Sequence, residues 1–174
     1  MRNKTMSGCS NPEAFERLVN SVKTKLYKTG MAILKNDDDT YDAIQNTLIS
    51  SYKYFDTLKE EKYFKTWITR ILINKCYDIL KKKEKISYLN KEIEANENTA
   101  YYDEYKIDSK VENALNTLDS DLRTTTILYY YDDFSVEEIS DILNIPEGTV
   151  KSRLSRARGK LYNLLKEEGD NIGW

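Results

Sequence analysis

The fourteen residues "GTVKSRLSRARGKL", 148–161, hold five basic side chains and no acidic one. The rest of the chain does not share this bias. The whole chain of 174 residues carries 27 Lys+Arg against 29 Asp+Glu, a formal charge of −2. Cations gathered in one stretch of an acidic chain suit binding to phosphate rather than covalent chemistry. Covalent chemistry is poorly supplied. There is no histidine, and Cys9 and Cys76 lie far apart with no C-x-x-C partner. That excludes Ser-His and Cys-His catalysis within one chain and argues against a zinc site. No Gly-rich phosphate loop appears, and no carboxylates stand in an acid/base or metal-ligand pattern. The expectation is a binding protein without a cofactor, not an enzyme.

A second set of residues with binding chemistry recurs at helical spacing. Arg70, Asn74, Tyr77 and Lys81 stand at i, i+4, i+7 and i+11 in a segment, 64–83, that is otherwise apolar nearly all round. Phe64, Trp67, Ile68, Ile71, Leu72, Ile73, Ile79 and Leu80 mark that helix as mostly buried. The escaping strip offers cations for phosphate, an amide for base edges and a ring for stacking. Single-stranded nucleic acid requires those groups. A plain polar stripe on a domain surface fits the pattern equally well.

The elements that must position these groups follow from periodicity. On a 100° wheel Val150, Leu154, Ala157, Leu161, Leu164 and Leu165 share one side, an amphipathic helix on a core. Lys151, Ser152, Ser155 and Arg156 point the other way with Gly159 between them, and Arg153, Arg158 and Lys160 flank the apolar stripe. Upstream, Ser135 and Glu138 form a capping-box pair that starts a helix whose buried face is Val136, Ile139, Ile142 and Leu143. Asn144-Ile145-Pro146 ends it, and Pro146 is suited to open the next helix. A short helix, a tight joint and a basic amphipathic helix make a helix-turn-helix, whose second helix enters the major groove. The same pair also occurs in bundles without DNA.

Six Gly and two Pro in the whole chain favour an all-α fold over a many-stranded one. Residues 11–85 are apolar and helical. Residues 86–110 lose clear period and hold six acids and three lysines, and 111–168 regain it. Two small helical domains joined by a flexible acidic linker result. No apolar run approaches the ~20 residues of a membrane span. The N-terminal stretch lacks the apolar core of a signal peptide, so a cytoplasmic location is expected. Cys76 reads as a buried free thiol and Cys9 as part of a mobile tail. From Asp39 to Phe55, Tyr41, Ile44, Leu48, Tyr52 and Phe55 share one face. Asp39, Asp42, Asn46, Ile49 and Lys53 lie opposite, with Gln45 at the edge. Ile49, apolar within a polar face, is either incidental exposure or the anchor of a protein interface.

Three segments carry a family resemblance over about residues 12–166. "FSVEEISDILNIPEGTVKSRLSRARGKL" is similar to the −35-reading segment of the extracytoplasmic-function (ECF) subfamily of bacterial sigma factors, in the sigma-70 family. "DDDTYDAIQNTLISSYKYF" resembles that family's D-x-x-D-x-x-Q-x-x-F helix, and "YFKTWITRILINKCYDILKKKEK" its W-L-x-R-I-x-x-N-x-x-x-D-x-x-R helix. Departures are Asn46 for Glu, Leu48 for Phe, Lys81 for Arg and Asp119 for Pro. The resemblance implies that Asp39, Asp42, Gln45, Asn46 and Ile49 meet the clamp helices of the polymerase β′ subunit. The β flap would be a second contact on core RNA polymerase. The loop around Asp56–Tyr63 would cradle a flipped −10 base, while Arg70, Asn74, Tyr77 and Lys81 hold the melted strand. Lys151, Ser152, Ser155 and Arg156 would face the −35 major groove of promoter DNA, with Thr149, Arg153 and Arg158 on phosphates. The acidic linker would occupy the channel later used by RNA. An anti-sigma factor is a further possible partner. The rival readings are a stand-alone helix-turn-helix regulator and a protein-only helical adaptor. Transcription with purified core polymerase separates them from a sigma factor.

Overall fold

The computed structural model describes residues 12–89 and 109–170, and every regular element among them is helical. The chain order is α1 (Pro12–Leu34), α2 (Asp37–Lys53), two 3₁₀ turns (Phe55–Thr57 and Glu61–Tyr63) and α3 (Phe64–Leu89). Then follow α4 (Ser109–Asn116), α5 (Ser120–Tyr130), α6 (Val136–Leu143) and α7 (Glu147–Asp170). The lysine run at 81–85 continues α3 instead of ending it. Most of the expected linker, 90–108, and Cys9 lie outside the described residues.

Local chemistry sets the helix ends. Pro12 opens α1, where its missing N–H is not needed. Asn36 caps α2, its side chain accepting from the Asp39 N–H at 2.9 Å. Asp37, Asp38 and Asp39 crowd the positive end of that helix. Asp119, the departure from the family's proline, supplies the α5 cap instead by accepting from the Leu122 N–H at 3.0 Å. That bond, with Lys160 nearby, holds the Asp119 carboxyl below its ordinary range. The α6 capping box is present in both directions. Ser135 Oγ accepts from the Glu138 N–H at 3.1 Å, and the Ser135 N–H donates to Glu138 Oε2 at 2.8 Å.

α2 packs inward through a row of small residues. Its buried residues are Thr40, Ala43, Thr47 and Ser51, whereas Tyr41 and Tyr52 are exposed. Ile44 and Leu48 flank the buried row. Thr40 and Thr47 bury their hydroxyls by donating to the carbonyls of Asn36 and Ala43, both at 2.7 Å. Small, internally satisfied side chains let α1 come close: a Cβ on Gly30 would lie 2.8 Å from Thr40 Cγ2. Gly30→Ala is therefore expected to destabilise the fold by about 1–3 kcal/mol, read as a lower midpoint in urea.

One hydrophobic core runs through both halves of the chain. Leu26, Ile33, Ile68, Leu72 and Ile73 of α1 and α3 join Leu128, Ile139, Ile142, Val150 and Leu154 of α5, α6 and α7. A smaller cluster holds Leu115, Leu118, Leu122 and Ala157 together. Cys76 is buried in the main core, which pushes its thiol up to about 12. Arg123 is also buried. It donates to the Leu118 carbonyl at 2.9 Å, and desolvation lowers its pKa.

Candidate nucleic-acid interface

The joint between α6 and α7 aims the basic helix. Asn144 takes a left-handed conformation, φ 53°, and its N–H bonds back to the Ser140 carbonyl. Ser140 Oγ donates to the Ile145 carbonyl at 2.6 Å, fixing the residue before Pro146. The Pro146 carbonyl then accepts from the N–H groups of Thr149 (2.8 Å) and Val150 (3.2 Å). Pro146 thus caps α7 from outside instead of forming its first turn. Val150, Leu154 and Ala157 face the core, as the periodicity requires.

The opposite face is open. Lys151, Ser152, Ser155, Arg156, Arg158 and Lys160 are exposed, and Thr149 is half-buried. A Cβ at Gly148 or Gly159 would meet nothing within 4 Å, so neither glycine serves packing inside the chain. Lys151 pairs with Glu147 one turn back at 3.0 Å, a surface bond that costs little to exchange for phosphate. Arg153 is different. Its side chain is only 17% exposed and its guanidinium is ion-paired with Asp121 of α5.

The strip on α3 is also divided. Arg70, Asn74 and Lys81 are exposed, but Tyr77 is half-buried. Burial raises the Tyr77 pKa, with Asp121 adding to the rise and Arg153 opposing it. Arg70 shares a small cleft with Tyr63, Thr66 and Trp67 on its own side and Asp141 and Ile142 of α6 on the other. The loop before α3 takes the form of two 3₁₀ turns anchored by buried Phe55 and Leu58. It leaves Asp56, Lys59, Glu60, Glu61, Lys62 and Tyr63 exposed, and Arg17 of α1 holds Glu61 at 3.0 Å.

On α2 four of the five expected contact residues lie on the side away from the buried row. Asp42, Gln45, Asn46 and Ile49 are exposed, Ile49 at 69%. Asp39 is half-buried and ion-paired with Lys83 of α3. Periodicity did not foretell the residues that join the two halves: Thr29, Lys25 and Lys65 on one side, Asp132 and Asp133 on the other. Among the described residues no group of acidic or thiol side chains is placed to hold a metal ion.

Two family models match this chain: sigma-70 region 2 over residues 18–86, and sigma-70 region 4 over residues 108–161. The ECF RNA polymerase sigma factor SigW of Bacillus subtilis is 30% identical over 169 residues, covering 89% of this chain and 90% of SigW. The chain belongs to the ECF subfamily of sigma-70 factors. The RNA polymerase sigma factor SigV of the same organism is 30% identical, over 78% of this chain and 81% of SigV. A solved structure, the sigma factor RpoE in complex with the anti-sigma factor NepR from Bartonella quintana, is 27% identical. It superimposes with a TM-score of 0.79, covering 88% of this chain and 98% of RpoE. Sigma factors initiate transcription and are not enzymes. This ECF sigma factor binds core RNA polymerase and recognises promoter DNA with a region 2 and a region 4 helix-turn-helix. That removes the stand-alone regulator and the protein-only adaptor. No described helix is long and apolar enough to cross a membrane.

Proposed function

We propose a residue-level division of labour for this sigma factor. Residues 11–85 form the polymerase-clamp and −10 domain, 86–110 the linker, and 111–168 the −35 domain. Asp42, Gln45, Asn46 and Ile49, with Asp39 at their edge, meet the β′ clamp helices. Arg70, Asn74, Tyr77 and Lys81 hold the melted −10 strand beside the loop at 56–63. Lys151, Ser152, Ser155 and Arg156 read the −35 base edges, while Thr149, Arg153 and Arg158 hold phosphates. The protein works in the cytoplasm, and an anti-sigma factor is one of its partners, as NepR is for the solved relative.

The observation that carries this reading is the outer face of α7. Small hydroxyls and an unobstructed glycine let the helix approach a groove, and cations at the edges meet the phosphates. Arg156 is the longest side chain on that face, and only a 3.4 Å bond to the Ser152 carbonyl restrains its Nε. Arg156→Ala is expected to cost about 1–3 kcal/mol at the cognate −35 element and to relax discrimination there. Arg158→Ala should weaken all sequences alike and lower the salt slope by about one. Holoenzyme footprinting on promoters with single −35 substitutions measures both. Unchanged promoter choice with Arg156→Ala would mean that another face of α7 enters the groove.

A further inference from the structure

The ion pairs of α7 fall into two kinds. Arg153 reaches Asp121, and Lys160 reaches Asp119 at 3.4 Å, so both tie α7 to α5 and its cap. Lys151 instead pairs with Glu147 of its own helix, Nζ to Oε2 at 3.0 Å. Among the described residues neither side chain of that pair has a second polar partner. The pair therefore fastens α7 to nothing. Glu147, Gly148, Lys151, Ser152 and Ser155 are all exposed and stand at i, i+1, i+4, i+5 and i+8, one face of the first three turns. In a helix-turn-helix those early turns of the second helix meet the base edges.

A carboxylate on that face needs an account. In the first turn it suits the helix dipole, and a glutamate one turn before a lysine adds a little helix stability. Both effects are small, and a residue facing DNA pays for them by opposing the phosphates. No other acid lies between Glu147 and Leu161. What the pair offers is order: donors from the ammonium beside an acceptor from the carboxylate, already held together before DNA arrives. In the major groove a G·C pair presents two acceptors, guanine N7 and O6, and then a donor, the cytosine N4 amino group. An A·T pair presents the thymine O4 acceptor where cytosine has its donor. A carboxylate there is paired by G·C and left facing an acceptor by A·T.

We propose that Glu147 sets base choice together with Lys151, the two reading one G·C pair of the −35 element. The ammonium donates to guanine O6 and N7, and the carboxylate accepts from cytosine N4. The inference rests on the assignment of the outward face of α7 to the −35 groove, and it adds an acidic residue to that surface. Because the pair is neutral, it contributes discrimination and little attraction to arbitrary DNA.

The test uses holoenzyme assembled with core polymerase on a promoter selected from a random library, each −35 position replaced in turn by the other three base pairs. The unaltered protein is expected to favour G·C over A·T at one position by about tenfold. Glu147→Gln keeps the side-chain length but adds a donor. It should cut that preference to about twofold, and it should bind the A·T promoter more tightly than the unaltered protein, because a repelling charge is gone. A helix merely weakened at its end would lower affinity for every promoter, so the two signs separate recognition from stability. Lys151→Ala should lose the preference at the same position. Unchanged preference at every position with Glu147→Gln, while Lys151→Ala and Arg156→Ala still relax base choice, overturns the inference alone. If those two variants also leave base choice intact, the α7 assignment fails and the inference fails with it.

Discussion

Asp42→Arg combined with Ile49→Glu is expected to abolish binding to core RNA polymerase without unfolding the chain. Both residues are exposed on α2, away from the row of Thr40, Ala43, Thr47 and Ser51 that packs inward. Neither substitution removes a core contact. Ile49 is the one large apolar group in a patch otherwise made of Asp42, Gln45 and Asn46, the pattern of an apolar anchor inside a polar rim. Burying a glutamate there, together with reversing the charge at 42, should cost about 4 kcal/mol or more, close to a thousandfold in affinity. Pull-down on core polymerase reads the loss, and helical circular dichroism reads the fold. Retained core affinity with an unchanged spectrum would place the polymerase contact on another surface.

Asn74→Ala with Lys81→Ala should spare core binding and the −35 footprint but lose the open complex. Both residues are exposed, so their removal disturbs neither the core nor the contact between the two halves. A duplex hides its base faces, and the strip has base-binding groups only for an opened strand. Stacking on an aromatic ring contributes ~1–3 kcal/mol per base, comparable with opening a few weak A·T pairs. Loss of the amide and the cation therefore tips the balance back towards duplex. Permanganate reactivity of thymines near −10 reports the opening. A pre-melted bubble should rescue much of the defect, because it removes the opening cost and keeps the remaining contacts. Normal opening of duplex promoters by the double variant would exclude this strip as the melting surface, as would a bubble that gives no rescue.

The sequence made some features legible and hid others for identifiable reasons. The α6–α7 pair could be read because each end carries a local signal: Ser135 and Glu138 at the start, Asn144 to Pro146 at the joint, and the Val150–Leu154–Ala157 stripe beyond. The family resemblance was equally legible, since its motifs are contiguous. α2 is harder to read because its buried face is not greasy. Thr40 and Thr47 bury their hydroxyls by bonding within their own helix, while Tyr41 and Tyr52 remain in water. An apolar-period count looks for the reverse. The docking of the two halves left no local signal at all. It depends on pairs such as Thr29 with Asp132 and Thr66 with Glu138, polar residues that would pass for surface groups in either segment alone. Likewise, Arg153 has the sequence of a phosphate ligand, and only the fold reveals that Asp121 holds it.

Asp132 makes the folded-back arrangement an acceptor of protons. Burial lifts its pKa from the ordinary 3.8 to about 6, against the hydrogen bond from Thr29 and the attraction of Lys25 and Lys65, while Asp133 adds to the rise. A carboxyl raised in this way favours the buried state fully below about pH 4, and that contribution disappears as pH climbs through about 6. Near neutrality the group is ionised in place, which weakens the contact by about 3 kcal/mol relative to acid. Domain separation returns the carboxylate to water and recovers that energy. Acidification therefore tightens the hold of the two halves on each other.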